Sequence, residues 1–314
     1  MTVTSHSALA RQDALRQIEL KIKLKLDGLI AGEHQGLLPG LGSELGETRP
    51  YQAGDDVRRI DWNVSARLGS VYTRGTIIDH ELDTWVVAGI SARTWFGTSQ
   101  YLKSELTLAA VATFGQLGLR MKSRVGAIVA GPKNLKSHRP SKTRGQLHKI
   151  LTSIDEARPA DGTGPADLLQ GLTELRKLTS RRSLIVIVSD FVDSNIPFAA
   201  FRELALRNYV FCVQLQDPAE ISIPNIGIVD IEDPATGRQT TVDTSSEKVR
   251  TTYAEAASAR QQELELRLRQ TGCRHMILNT ESEWVDQIIS ALLLNKKLDS
   301  FGRGSGASLQ GGRL

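Results

Sequence analysis

Two spacings of apolar residues alternate along this chain. Short apolar runs, Thr84–Ile90, Val125–Ala130, Ser183–Val188, Tyr209–Leu215 and Cys273–Leu278, have strand length and are rich in β-branched residues. Between most of them lie segments with 3–4 residue apolar repeats: Lys103–Gly118, Gln146–Ile154, Ala166–Leu178 and Phe198–Arg207. Strands that read as unbroken apolar runs are buried on both faces, and helices between them supply the cover. The expected fold class is therefore α/β, a doubly wound and mostly parallel sheet. Thr244-Ser245-Ser246-Glu247 has the form of a capping box opening a long polar helix that closes at Gly272. Trp284–Lys297 reads as a last helix.

The alternation fades at both ends. Ala8–Leu29 reads as an amphipathic helix, with Leu15, Ile18, Ile22, Leu26 and Leu29 on one face and Arg11, Arg16, Lys21, Lys23 and Lys25 on the other. A glycine-rich loop over residues 32–48 follows, and Ser70–Arg74 and Thr76–His80 read as short strands. Phe301–Leu314 holds five glycines in fourteen residues and reads as a disordered tail. The expected division is residues 1–80 as an N-terminal unit, 81–298 as the α/β domain and 299–314 as the tail.

Composition narrows the class. A chain of 314 residues, 40% hydrophobic and 24% charged, buries a substantial core. No apolar run reaches membrane-spanning length, and residues 1–6 lack the character of a signal peptide, so a cytoplasmic protein with no membrane insertion is expected. Cys212 and Cys273 fall in or beside strands, as reduced core thiols would. The formal net charge of +4 hides an asymmetry, because residues 106–154 carry nine basic side chains and no acidic one. Such a field attracts nucleic acid, an anionic membrane surface or an acidic protein partner, and the plainer reading is a solvated loop flanked by ordinary helix surface. The stretch holds no Phe, Tyr or Trp after Phe114 on which bases would stack, which argues against nucleic acid.

The densest chemistry lies between Arg49 and Arg67. Four arginines, three aspartates, Tyr51 and Trp62 fall within nineteen residues. Interleaved opposite charges favour bidentate Arg–carboxylate pairing. Gly54-Asp55 suits a turn with a carboxylate cap, which would point Ile60 and Trp62 into a core. With Glu47, the set Arg49, Tyr51, Gly54, Asp55, Asp56, Arg58, Asp61, Trp62 and Arg67 resembles the signature of the bacterial Domain of Unknown Function 58 family, in a soluble, actinobacterial-type form. The resemblance runs to about Lys297. It implies a von Willebrand factor A-like domain and a partnership with a MoxR-type AAA+ ATPase that assembles or activates client proteins. The signature would then bind that partner or hold the N-terminal segment as a half-buried network.

Domains of that kind carry a metal-ion-dependent adhesion site at the strand ends, built on Asp-x-Ser-x-Ser, a later threonine and a second aspartate. Here the first segment reads Gly89-Ile90-Ser91-Ala92-Arg93, so only Ser91 matches. Thr163 and Asp190 fall where the threonine and second aspartate belong. At ~5 Å and an effective dielectric of ~20, a guanidinium would repel a divalent ion by roughly 6 kcal/mol. The site is therefore expected to be degenerate, with no cofactor and with Mg²⁺ disfavoured, and Arg93 is expected to contact Asp190, directly or through one water, in the metal's place. Ser91, Asp190 and His275 also occur in the chain order of a serine hydrolase. Arg93 stands where a nucleophile elbow needs glycine, and His275 sits inside a strand, so that reading ranks last. No phosphate-binding loop occurs either. The sequence points to a non-enzymatic adaptor; a nucleic-acid-binding protein using residues 106–154 is the rival.

Overall fold

The computed structural model describes residues 48–51, 60–74, 82–157, 164–193 and 195–292. The expected helix Ala8–Leu29, the strand Thr76–His80, the tail, and Gly54, Asp55, Asp56, Arg58 and Thr163 lie outside the described residues.

Six strands form the central sheet: β3 (Asp83–Gly89), β4 (Val125–Ala130), β5 (Leu135–Ser141), β6 (Ser183–Ser189), β7 (Tyr209–Gln216) and β10 (Arg274–Asn279). Their order is β10-β7-β6-β3-β4-β5. All pairs are parallel except β4 with β5. The chain winds outward from β3 in one direction and, after β6, in the other. This is the doubly wound α/β sheet expected from the apolar runs, and its strand order reverses between β3 and β6.

Each face of the sheet has its own core. On one side pack α2 (Lys103–Arg120), α3 (Arg144–Asp155) and the helical residues 284–292, through side chains such as Phe114, Leu147, Ile150 and Ile288. On the other pack α4 (Leu168–Leu178), α5 (Phe198–Ala205) and α6 (Glu247–Thr271), through Leu172, Phe201, Leu264 and Leu268. Each such side chain contributes about 1.5–3 kcal/mol on leaving water. Cys212 and Cys273 are free and buried in this second core. At the far end of β3, Asp83 takes both arms of Arg124, with Nε–Oδ1 2.8 Å and Nη2–Oδ2 2.6 Å.

A hairpin without sequence warning, β8 (Ile228–Asp233) and β9 (Arg238–Asp243), leaves the sheet after β7. Its base is tied by Thr244, whose Oγ1 donates to the Gly227 carbonyl at 2.6 Å and accepts from the Ile226 amide at 3.0 Å. The expected capping box therefore has a different role. Thr244 fastens the hairpin, and α6 begins after Ser246, which caps it with no side-chain bond.

Candidate functional site

The crevice between β3 and β6, outside their carboxyl ends, is where such sheets bind ligands. From β3 the chain passes through Gly89 and Ser91 into a 3-10 turn, Ala92–Trp95. The Ser91 amide donates to Thr94 Oγ1 at 3.0 Å, and the Thr94 amide returns a bond to the Ser91 carbonyl at 3.1 Å. That exchange tightens the turn and holds Arg93 over the crevice. From β6 comes Asp190, followed by Phe191 in the left-handed region at φ 51°. This conformation costs a non-glycine residue about 1–2 kcal/mol. The Phe191 ring, packed edge-on against Phe201 at 6.1 Å between centroids, holds it in place.

Arg93 makes no direct ion pair with Asp190, contrary to the direct form of the expectation. Its Nε and Nη2 donate to the two carboxylate oxygens of Asp233, each at 2.8 Å, and its Nη1 donates to Asp193 Oδ1 at 2.5 Å. The fork thus fastens the hairpin, through the last residue of β8, to the strand-end loops. Arg93 hydrogen bonding holds the Asp233 carboxyl down at about 2. Burial pushes the Asp193 carboxyl up, against the pull of Arg93.

The cation facing Asp190 is Lys103, the first residue of α2. Its side chain is 0% exposed, and its Nζ lies 2.5 Å from Glu220 Oε1 and 3.8 Å from Asp190 Oδ2. A helix N-terminus is a poor place for a positive charge, so helix propensity does not explain this lysine. The carboxylates that converge on it do. Glu220 ends the 3-10 turn Pro218–Glu220 after β7, which buried Asp217 positions. Asp217 accepts from the Thr98 amide at 2.8 Å, Thr98 Oγ1 at 2.5 Å and Thr280 Oγ1 at 2.6 Å. Burial pushes the Asp217 carboxyl up, but these bonds outweigh it and hold it below the ordinary range.

Gly89 and Arg93 stand at two positions where a divalent-ion site of this kind would need oxygen ligands. A Cβ on Gly89 would meet Leu168 Cδ2 at 2.8 Å and Ser189 Oγ at 3.1 Å, so a leading carboxylate would have to displace the Leu168 side chain. Among the described residues no group of three or more His, Cys, Asp or Glu could hold a metal. Asp190 Oδ2 is buried without a hydrogen-bond partner, and Lys103 Nζ stands 3.8 Å from it. Nor does a hydrolase triad assemble. His275 Nε2 pairs with Gln214 Oε1 at 3.0 Å, and no hydrogen bond among the described residues joins Ser91, Asp190 and His275.

The signature divides into a structural part and an exposed part. Arg49 lies in β1 (Thr48–Pro50), opposite Thr73 of β2 (Tyr72–Arg74). The amide of half-buried Tyr51 donates to the Val71 carbonyl at 2.8 Å. Buried Asp61 caps α1 (Trp62–Leu68), accepting from the Asn63 and Val64 amides at 3.2 Å. Trp62 was expected in a core and is 69% exposed, because as the first residue after that cap it faces outward; Arg67 is exposed too. A further concave surface, an apolar groove of about 650 Å³, opens between the hairpin (Ile231, Val242) and α6 (Val249, Tyr253, Ala256).

A doubly wound domain whose strand-end crevice is filled by ion pairs thus carries an N-terminal signature module. Residues 47–263 match the family model described as protein of unknown function DUF58, and the chain belongs to that family. An uncharacterized protein of Mycobacterium tuberculosis (strain H37Rv) is 36% identical over 279 residues, covering 88% of this chain and 87% of the relative. An uncharacterized Mycobacterium avium protein is 30% identical over 128 residues, 39% of this chain and 72% of the relative. Among solved structures, BatB from Bacteroides thetaiotaomicron is similar at TM-score 0.41 and 13% identity, over 69% of this chain and 99% of that one. The SpRpn10 VWA domain is similar at TM-score 0.39 and 11% identity, over 68% and 94%.

Proposed function

We propose that this chain is a non-enzymatic adaptor whose strand-end crevice is closed by its own cations instead of Mg²⁺. It would serve as the partner of a MoxR-type AAA+ ATPase in the chaperone-like assembly or activation of other proteins. The observation that carries the first part is the ion-pair cluster of Arg93 and Lys103 with Asp190, Asp193, Glu220 and Asp233. A crevice locked in this way has neither an open coordination position nor an activated nucleophile. The work of such a protein is contact, and ATP hydrolysis falls to the partner.

The family resemblance supports the partnership, and the exposure of Trp62 supports a contact role for part of the signature. Tryptophan and arginine are among the residue types on which interface energy concentrates. The test is association of the purified full chain with a MoxR-type ATPase from the same organism, followed by light scattering. A complex is expected, and Trp62→Ala should weaken it at least about tenfold with no change in melting temperature. No complex with ATP, with ADP or without nucleotide would refute the partnership. An unaffected complex with Trp62→Ala would remove the signature from the interface.

A further inference from the structure

The acid-free basic stretch acquires a shape in the fold. β5 is the outermost strand of the central sheet, and among the described residues no strand pairs with its outer edge. Lys133, Lys136 and Arg139 on and before β5, and Arg144 and Lys149 on α3, are all exposed. None of these five is ion-paired among the described residues. Lys136 and Lys149 come from different elements, yet both act on His138. Burial lowers the His138 imidazole first, and these two ammonium groups lower it further. The strand edge and the helix therefore share one positive field.

The backbone of the edge is also oriented. The Gly131 amide donates to the Asn134 carbonyl at 2.9 Å, which fixes the alternation of the β4–β5 ladder. Val129–Lys136 and Ala127–His138 are then the hydrogen-bonded pairs. The His138 carbonyl does face β4, since a Cβ on Gly126 would meet it at 3.0 Å. The backbone groups of Leu135 and Ser137 consequently face away from the sheet, and beyond His138 the register shifts. At that shift the Arg139 carbonyl accepts from Gln146 Nε2 at 2.9 Å.

We infer that the β5 edge is a docking surface for an extended acidic segment of a partner protein, which adds as a further strand beside residues 135–138. The outward amides and carbonyls of Leu135 and Ser137 supply the main-chain bonds, and alternate side chains of the added strand reach the basic rows on either face. Lysines and a proline such as Pro140 also serve to keep edge strands from pairing. A run of cations with no acidic residue among them repels a basic strand and gives a neutral one no Coulomb attraction, while leaving the edge open to an acidic one. A single-stranded polynucleotide would gain its grip from stacking platforms, and residues 133–149 hold no Phe, Tyr or Trp. The inference stands whether or not the ATPase is the partner.

The test uses the full chain and a labelled, end-blocked peptide of about twelve residues alternating Glu and Thr, long enough to span the strand. A peptide of the same length alternating Glu and Pro carries the same charge but lacks every second amide donor. The Glu–Thr peptide should bind at least about tenfold more tightly than the Glu–Pro peptide, with affinity falling as salt rises. The amides of Leu135 and Ser137 should exchange more slowly in the complex. Lys136→Glu with Arg139→Glu should reduce binding at least about tenfold at unchanged melting temperature, and Lys136→Gln with Arg139→Gln by less. Equal binding of the two peptides, binding unaffected by charge reversal, or tighter binding of an oligothymidylate of the same length would each overturn the inference.

Discussion

Lys103 Nζ sits 2.5 Å from Glu220 Oε1 across 117 residues of sequence, with the lysine side chain wholly out of solvent. A buried ammonium is stable only while carboxylates face it, so the two residues depend on each other. Through this pair the start of α2 and the turn after β7 form one wall of the crevice.

Replacing Lys103 with methionine, similar in length but uncharged, leaves Glu220 and Asp190 without their cation. We expect a loss of about 3–5 kcal/mol, read from urea unfolding. The pair Lys103→Met with Glu220→Gln should recover part of it, because the stranded charge is then removed. A single variant as stable as wild type would show that the carboxylates do not rely on Lys103.

Asp233 supplies a pH signature. Its folded carboxyl lies at about 2, against an ordinary 3.8, chiefly through the Arg93 hydrogen bonds. A depressed carboxyl stabilises above its unfolded value and loses that contribution as pH falls through the folded one. Stability from this pair should therefore be full above pH 3.8 and decline toward pH 2. Asp193, raised by burial, should take its proton first. In Arg93→Ala the Asp233 titration, followed by carboxylate carbon NMR, should move up toward 3.8, and hairpin amides should exchange faster. An unmoved titration would detach Asp233 from Arg93.

Restoring the missing metal-site letters should fail. Gly89→Asp with Arg93→Ser would drive a Cβ to 2.8 Å from Leu168 Cδ2. Overpacking of this kind costs about 1–3 kcal/mol, and Gly89→Ala alone should already show it. A stable double variant whose melting temperature rises with Mg²⁺ would mean that the crevice yields more readily than its packing indicates.

Asp61 acts as a helix cap, so Asp61→Ala should cost about 0.5–2 kcal/mol, with Asp61→Ser retaining most of the stability. An equal loss in both variants would move its role from the cap to the arginines of the signature.

The central strands were legible because continuous apolar runs such as Ser183–Val188 have one stable environment, a sheet covered on both faces. β5, Leu-Lys-Ser-His-Arg-Pro-Ser, escaped notice because an edge strand needs little apolar surface, and its cations and proline read as loop. The hairpin was hidden for the same reason, since Arg238–Asp243 is polar except for Val242 and mostly exposed. Within the crevice, Arg93 and Asp190 could be read from their positions after strands. Lys103 could not, because a lysine opening a helix looks like solvated surface until the fold places carboxylates from residues 190 and 220 around it. Asp193 and Asp233 likewise look like loop acids. Only the tertiary structure brings Arg93 to a carboxylate 140 residues away.

The most direct test of the account is thermal unfolding of the wild-type chain in excess Mg²⁺ and in EDTA. Two cations already face the carboxylates of the crevice, so the two melting curves should coincide. A divalent site filled at ten times its dissociation constant would add about 1.4 kcal/mol to the native state. A melting temperature raised by Mg²⁺ and lowered by EDTA, and abolished together with Asp190→Asn, would contradict the account.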